Sequence, residues 1–104
     1  MDKKEEYIKK ARAKIDEQIA KLDVLKAKAK GEIADQKIKT KKRIEGLEVK
    51  IKEAKQHLSE IIDSAGDDWE KFKTKFDILA EDIGNSFKKF FSKDEENSDP
   101  KDKE

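Results

Sequence analysis

Apolar residues recur at helical spacing along most of the chain, and the most regular stretch runs from Ile44 to Phe91. Two apolar stripes lie there, with steps that alternate between three and four residues, so each stripe occupies one face of a helix. Between the stripes, Gly66 is suited to end the first helix because glycine tolerates the left-handed backbone. Asp67 is suited to cap the second helix, since its side chain accepts bonds from N-terminal amides. The pattern predicts an antiparallel helical hairpin over residues 44–93.

The N-terminal part of the chain predicts a further amphipathic helix over residues 2–30. Ile8, Ile15 and Leu22 follow one another at heptad spacing, and several glutamates stand four residues before a lysine, the favourable order for a pair on a helix surface. No proline interrupts this stretch. It therefore reads as a continuous helix with one apolar face.

The weakest region lies between Gly31 and Gly46, where the apolar stripe thins but no cluster of Pro, Asn or Ser marks a loop. We predict an all-α coiled-coil hairpin, in which one long amphipathic helix over about residues 2–64 is followed by an antiparallel C-terminal helix over about 67–92. The alternative is a three-helix bundle that breaks at Gly31 into helices of about 29, 32 and 25 residues. We prefer the continuous helix, because a tight turn between helices usually needs more than one glycine.

The predicted interaction seam consists of the large apolar residues of all three stretches. Its members are Ile8, Ile15, Leu22, Ile33, Ile44, Leu47, Ile51, Leu58, Ile61, Trp69, Phe72, Phe76, Leu79, Ile83 and Phe87. The C-terminal helix is too short to reach back beyond about Thr40, so it leaves the stripe from Ile8 to Ile33 uncovered. This uncovered stripe predicts a partner, and we expect the chain to form a homo-oligomer.

Composition and charge agree with long amphipathic helices, since 49% of the residues are charged and only 34% are hydrophobic. Residues 1–43 hold 15 Lys/Arg against 8 Asp/Glu, whereas residues 94–104 hold 2 against 6. We therefore divide the chain into one helical domain over 1–93, with a basic arm (1–43) and the hairpin (44–93), and a disordered acidic tail over 94–104.

The residue inventory argues against catalysis. The chain has no cysteine and one histidine, His57, which excludes thiolate chemistry and leaves no histidine pair for a metal. It contains no glycine-rich phosphate loop, nucleophile elbow or HExxH motif, and its many carboxylates have no predicted pocket to shift their pKa values. We predict a non-enzymatic protein with no catalytic residues, no cofactor and no metal.

Two other kinds of partner fit parts of the sequence. Six of the seven aromatic residues lie in the C-terminal helix among lysines, a pattern also found in helices at a membrane interface. In that alternative Phe87, Phe90 and Phe91 contact lipid. The basic run over 37–43 suggests phosphate contacts, but its charges spread around the helix and no aromatic residue is interleaved for base stacking. Nucleic acid is therefore the least favoured partner.

The N-terminal sequence is polar, and no apolar stretch is long enough for a signal peptide or a membrane-spanning helix. We expect a soluble cytoplasmic protein, with peripheral attachment to a membrane as the alternative.

Segments near both ends of the chain resemble a known family. They are MDKKEEYIKK over residues 1–10, the Lys/Ala/Leu-rich stretch over 13–29, and SAGDDWEKFK over 64–73, with Gly66-Asp67 and Trp69-Glu70 as its specific part. Together they resemble small bacterial coiled-coil proteins that are loosely apolipoprotein-like and associated with stress responses in cyanobacteria and proteobacteria. The resemblance spans roughly residues 1–91. It implies an amphipathic helical protein without catalytic residues or a defined ligand.

Overall fold

A computed structural model describes the backbone of residues 2–98 and the side chains as far as Phe91. This part of the chain forms three helices and no strand: α1 (Lys3–Lys30), α2 (Ala34–Asp63) and α3 (Trp69–Ser98). Helix α2 packs closely on both α1 and α3, whereas α1 and α3 contact each other much less. The all-α class and the pairing of α2 with α3 in a helical hairpin are confirmed.

The prediction of one continuous helix over residues 2–64 is wrong, because the chain turns back between α1 and α2. Gly31 ends α1 with φ −92° and ψ 2°, and its amide donates to the carbonyls of Lys28 and Ala29. Because this backbone conformation is not left-handed, the turn does not need the second glycine that the continuous-helix argument assumed. Because the chain folds back, the apolar face of α1 is buried against the rest of the same chain. This burial makes the three-helix arrangement more stable than a single long helix that leaves the same face exposed to water.

A partly buried hydrogen bond holds the turn between α1 and α2. The hydroxyl of Thr40, a residue only 4% exposed, donates to the carboxylate of Glu32 at 2.6 Å. Ile33 occupies the N-cap position of α2, and no side-chain hydrogen bond caps this helix. The turn is therefore held by a side chain of α2, that of Thr40. The N-cap position of α2 is occupied by isoleucine, a residue type that caps poorly.

The turn between α2 and α3 follows the sequence-based expectation more closely. Gly66 adopts the left-handed conformation, with φ 57°, as predicted. Helix α3 begins at Trp69, two residues later than the predicted start. From α1, the ammonium of Lys4 donates to the Ser64 carbonyl at 2.8 Å, which satisfies an acceptor beyond the last turn of α2. The same contact brings the start of α1 to this end of the bundle.

The core lies along α2, between α2 and its two neighbours. Buried residues on α1 and α2 recur at steps of three and four: Ala11, Ile15, Gln18, Leu22, Leu25 and Ala29 on α1, and Thr40, Ile44, Leu47, Ile51, Ala54, Leu58 and Ile61 on α2. Helix α3 contributes Trp69, Phe76, Ala80, Ile83, Phe87 and Phe90. An ion pair of 3.0 Å between Lys26 and Glu48 joins α1 to α2, and one of 2.7 Å between Lys50 and Asp82 joins α2 to α3.

Helix α3 ends at Ser98, beyond the predicted end at 92. The predicted disordered tail over 94–104 is therefore helical over 94–98, and residues 99–104 lie outside the described part of the chain. No glycine or proline occurs between Asn85 and Asp99, so nothing in the local sequence stops the helix before Pro100. The predicted basic arm over 1–43 comprises α1 and the first turns of α2.

Candidate interaction surfaces

Most of the predicted seam is buried inside this one chain. Of its fifteen residues, eleven are buried: Ile15, Leu22, Ile44, Leu47, Ile51, Leu58, Ile61, Trp69, Phe76, Ile83 and Phe87. Ile8, Phe72 and Leu79 are half-buried and pack against this core. Ile33 lies in the turn and is 72% exposed, so it does not join this core. The stripe on α1 that was expected to need a partner is covered by α2 and α3.

The phenylalanines predicted for lipid contact are also taken into the bundle. Phe87 and Phe90 are 1% and 8% exposed, and Phe91 stacks on Phe87 with ring centroids 6.4 Å apart. The cations of Lys28 and Arg43 lie over Phe91 and Phe90, at 5.8 and 5.3 Å from the ring centroids. In the closed bundle Phe87 and Phe90 are covered by protein, and lipid contact through them would require the helices to separate.

Tyr7 links α1 to α3 near the end of the bundle that lies opposite Phe90 and Phe91. Its hydroxyl donates to the carboxylate of Asp77 at 2.5 Å, and its ring lies 5.8 Å from that of Trp69 and 6.1 Å, edge-on, from that of Phe76. Burial raises the pKa of the Tyr7 phenol, and the hydrogen bond to Asp77 and the charge of that carboxylate raise it further. Sequence reasoning gave Tyr7 no role, although it stands four residues before the buried Ala11.

Gln18 is the buried polar residue that sequence reasoning missed. It is 2% exposed, and its side-chain amide donates to the Ala80 carbonyl on α3 at 3.0 Å. Its Oε1 atom has no hydrogen-bond donor among the described residues. The available signal was position, because Gln18 falls on the heptad core between Ile15 and Leu22. In coiled coils a single polar residue at such a position fixes the register of neighbouring helices.

An open groove of about 780 Å³ runs between α1 and α3; we call it the α1/α3 groove. The floor of the groove consists of small residues and one phenylalanine: Ala11, Ala80, Gly84 and Phe76. Helix α1 contributes two lysines to one wall, Lys10 and Lys14, and α3 contributes two carboxylates to the other, Asp77 and Glu81. The four charged residues are exposed. A Cβ built on Gly84 would meet no atom within 4 Å. The groove remains open because these small side chains do not fill the space between the helices.

Glu17 also lines the α1/α3 groove and belongs to its basic wall. Its carboxylate pairs with Lys21 at 3.2 Å and with Lys14 at 3.6 Å. The hydrogen bond from Lys21 and then the charge of Lys14 lower the pKa of Glu17. These groups are about half exposed, so the pairs orient side chains more than they stabilise the fold.

The bundle carries opposite charges at its two ends. Residues 28–43, around the turn between α1 and α2, hold seven Lys/Arg against two Asp/Glu. The last turns of α3, over 88–98, end at the same side of the bundle and hold three Lys and three Asp/Glu, so they leave the excess of positive charge unchanged. We call this the basic end. Residues 60–70, around the other turn, hold five Asp/Glu and no Lys/Arg. The long axis of the bundle, 52 Å in extent, therefore runs from an acidic to a basic end.

Within the described residues, no group of three or more His, Asp or Glu side chains is placed to hold a metal ion. The ring of His57 is hydrogen-bonded to the neighbouring Glu60 carboxylate at 2.9 Å.

None of the described helices has a stretch sufficiently long and apolar to cross a bilayer. Comparison of the chain with protein-family models, curated proteins and solved structures finds no match.

Proposed function

We propose that this protein is a non-enzymatic, cytoplasmic helical bundle that works by contact and associates with a second copy through the α1/α3 groove. The observation that carries the proposal is the composition of that groove, an apolar floor between a basic and an acidic wall. The resemblance to stress-associated coiled-coil proteins supports a role of the same kind, and we extend the proposal to a stress-related function.

The signs of the two walls select one way of pairing. A twofold axis parallel to the helices places α1 of one copy against α3 of the other. Lys14 on α1 then faces Glu81 on the partner's α3 at a similar height, and the symmetry makes the same contact twice. An antiparallel pair would place α1 against α1 and bring the two copies of Lys14 together. Charge complementarity therefore favours the parallel arrangement.

The face has sufficient area for a stable dimer. A specific interface buries about 800 Å² on each partner. The groove occupies only part of the α1/α3 face, over residues 7–17 and 76–85. The bundle is 52 Å long, so a strip about 15 Å wide along the whole α1/α3 face supplies that area. Ala13 is exposed, and Ala11, Ala80 and Gly84 carry no large side chain, so two such faces are able to approach closely at the groove.

Solution mass tests the proposal directly. We expect light scattering after size-exclusion chromatography to give twice 12.0 kDa at micromolar concentrations. Gly84→Leu should yield a monomer, because the new side chain projects into the groove. The change leaves the fold intact, since a Cβ at this position meets no neighbour and leucine favours a helix by about 1 kcal/mol over glycine. Gly46→Leu is the matched control, since Gly46 also has open space around it and lies outside the groove.

A charge swap tests the parallel arrangement. Lys14→Glu should weaken the dimer about tenfold, because it turns two attractive contacts of up to about 1 kcal/mol each into repulsive ones. Adding Glu81→Lys should restore it, and Lys52→Glu on the exposed face of α2 should have no effect. A monomeric wild type would refute the proposal. A dimer that the second change does not rescue would refute the parallel arrangement alone.

A further inference from the structure

We propose that the basic end is a docking surface for an anionic phospholipid bilayer, with Ile33 and Ile38 as the residues that enter the lipid. This surface is distinct from the α1/α3 groove, and it uses different residues from the phenylalanines that the sequence had suggested for lipid contact.

The first observation is the exposure of two aliphatic side chains at this end. Ile33 is 72% and Ile38 60% exposed. Ile33 is the residue immediately before α2, and Ile38 lies in the first turns of this helix. Exposed aliphatic residues elsewhere stand singly on the outer faces of the helices, and such residues are ordinary. At the basic end two occur within six residues of chain, at the tip of the bundle.

The second observation is the position that Ile33 occupies. It is the N-cap residue of α2 and makes no capping bond. Isoleucine is among the weakest residues at that position, where serine, aspartate or asparagine would bond the free amides of the first turn. The sequence thus places an exposed isoleucine where a polar residue would stabilise the fold, which is accounted for if the side chain has an apolar environment to enter.

The third observation is the charge around these residues. Lys41 and Lys42 follow Ile38 by three and four positions, so they flank it on the exposed face of α2. Lys37 stands in the same relation to Ile33. These lysines are exposed and have no ion-pair partner among the described residues. One carboxylate, the exposed Asp35, lies between the two isoleucines, and the three lysines outnumber it. Apolar residues with an excess of lysines around them match the boundary of an anionic membrane, where side chains enter the acyl region and ammonium groups meet the headgroups.

A nucleic acid offers the same negative charge but not the same apolar contact. The aromatic rings at this end, Phe90 and Phe91, are buried or half-buried beneath Arg43 and Lys28, so they are not free to stack on bases. Exposed aliphatic side chains contribute little to phosphate binding. The observations therefore favour a bilayer.

Vesicle co-sedimentation tests the proposal with the full-length protein. We expect binding to vesicles of phosphatidylserine and phosphatidylcholine in equal parts at physiological ionic strength, and no binding to phosphatidylcholine alone. Replacing Lys41 and Lys42 by Gln should weaken binding about 25-fold, at roughly fivefold for each lysine. Equal binding to both vesicle types, or unchanged binding of the double lysine variant, would overturn the proposal.

The decisive variant combines Ile33→Ser with Ile38→Gln. Serine is a good N-cap residue, so this protein should melt at the same or a higher temperature while losing vesicle binding. Loss of binding then cannot be assigned to unfolding. Val49→Gln with Ile78→Gln is the matched control, since these residues are 59% and 64% exposed at other places. The proposal is overturned if the Ile33/Ile38 variant binds as the wild type does, or if the protein binds a single-stranded oligonucleotide but no vesicle.

Discussion

Gln18 gives the sharpest test of how this core is built, because replacing it by an apolar residue should stabilise the protein. In the native bundle the side chain is 2% exposed, makes one bond to the Ala80 carbonyl, and leaves Oε1 without a donor among the described residues. The Ala80 carbonyl lies within α3 and keeps its helical bond if the glutamine is removed.

The magnitude follows from three terms. Gln18→Leu loses one hydrogen bond worth about 1 kcal/mol, and it removes an unpaired acceptor that costs about 1–3 kcal/mol to bury. It also buries an apolar side chain worth about 1.5–3 kcal/mol. Allowing for imperfect fit, we expect a net gain of about 1–2 kcal/mol. For a domain of this size the melting temperature should rise by at least about 4 °C.

Urea and thermal unfolding followed by circular dichroism measure the change. Gln18→Met is the second variant, because methionine follows the linear path of glutamine and adapts to an irregular site. Gln18→Ala is the control for volume, and it should be about 2–5 kcal/mol less stable than Gln18→Leu because it leaves a cavity. If both the Leu and Met variants are less stable than the wild type, the reasoning is refuted, and Oε1 must be hydrogen-bonded in solution.

Three further predictions concern local backbone and pH. Gly46→Ala should stabilise the fold by about 1 kcal/mol in urea unfolding, because a Cβ there meets no atom within 4 Å and alanine is the better helix former. Gly66→Ala should destabilise it by about 1–2 kcal/mol, because Gly66 has φ 57° and a side chain is strained in that conformation. The pKa of Tyr7 is higher in the folded protein than in the unfolded chain. The contribution of Tyr7 to the free energy of unfolding should therefore be fully present below about pH 10, the ordinary pKa of tyrosine, and be lost as the pH rises further. Tyr7→Phe should be about 1 kcal/mol less stable at neutral pH, and this difference should shrink in strongly alkaline solution. The absorbance of tyrosinate follows the titration directly, since the chain has one tyrosine.

The hairpin of α2 and α3 was predictable because its signals are local and agree with one another. Ile44, Leu47 and Ile51 keep a heptad rhythm, and Gly66 supplies the left-handed residue that a helix end requires. The residues that pair across the hairpin, such as Lys50 and Asp82, then follow from the position of the turn to within a few residues.

The break at Gly31 was not predictable in the same way. The heptad rhythm of α1 fails at Gln36 and Arg43, but an eleven-residue step, which is three helical turns, leads from Ala29 to Thr40. Periodicity therefore allows either a continuous helix or a turn. The choice depends on whether the face of α1 is covered by its own chain or by another, which is a property of the tertiary fold. The turn itself has ordinary dihedral angles at Gly31 and therefore leaves no strong signature in the sequence.

The two candidate surfaces depend on long-range geometry for the same reason. Ala11, Ala80 and Gly84 are unremarked small residues in the sequence, and they become a groove only because α1 and α3 lie side by side. Ile33 looks like a seam residue in the sequence, and only its place in the turn turns it outward. Periodicity identifies which residues can be buried, but the relative placement of helices decides which of them remain exposed.

The two proposed surfaces are coupled by the direction of the dimer axis. In a parallel pair both basic ends lie on the same side, so one bilayer can bind both, and their mutual repulsion is relieved by the anionic headgroups. Anionic lipid should then tighten the dimer, and dimerisation should tighten binding to lipid by the same factor, since such coupling is reciprocal. The monomeric Gly84→Leu protein keeps the basic end intact, so it should still bind anionic vesicles, but more weakly, because it loses the second attachment point. An antiparallel dimer points its basic ends in opposite directions and predicts no such loss.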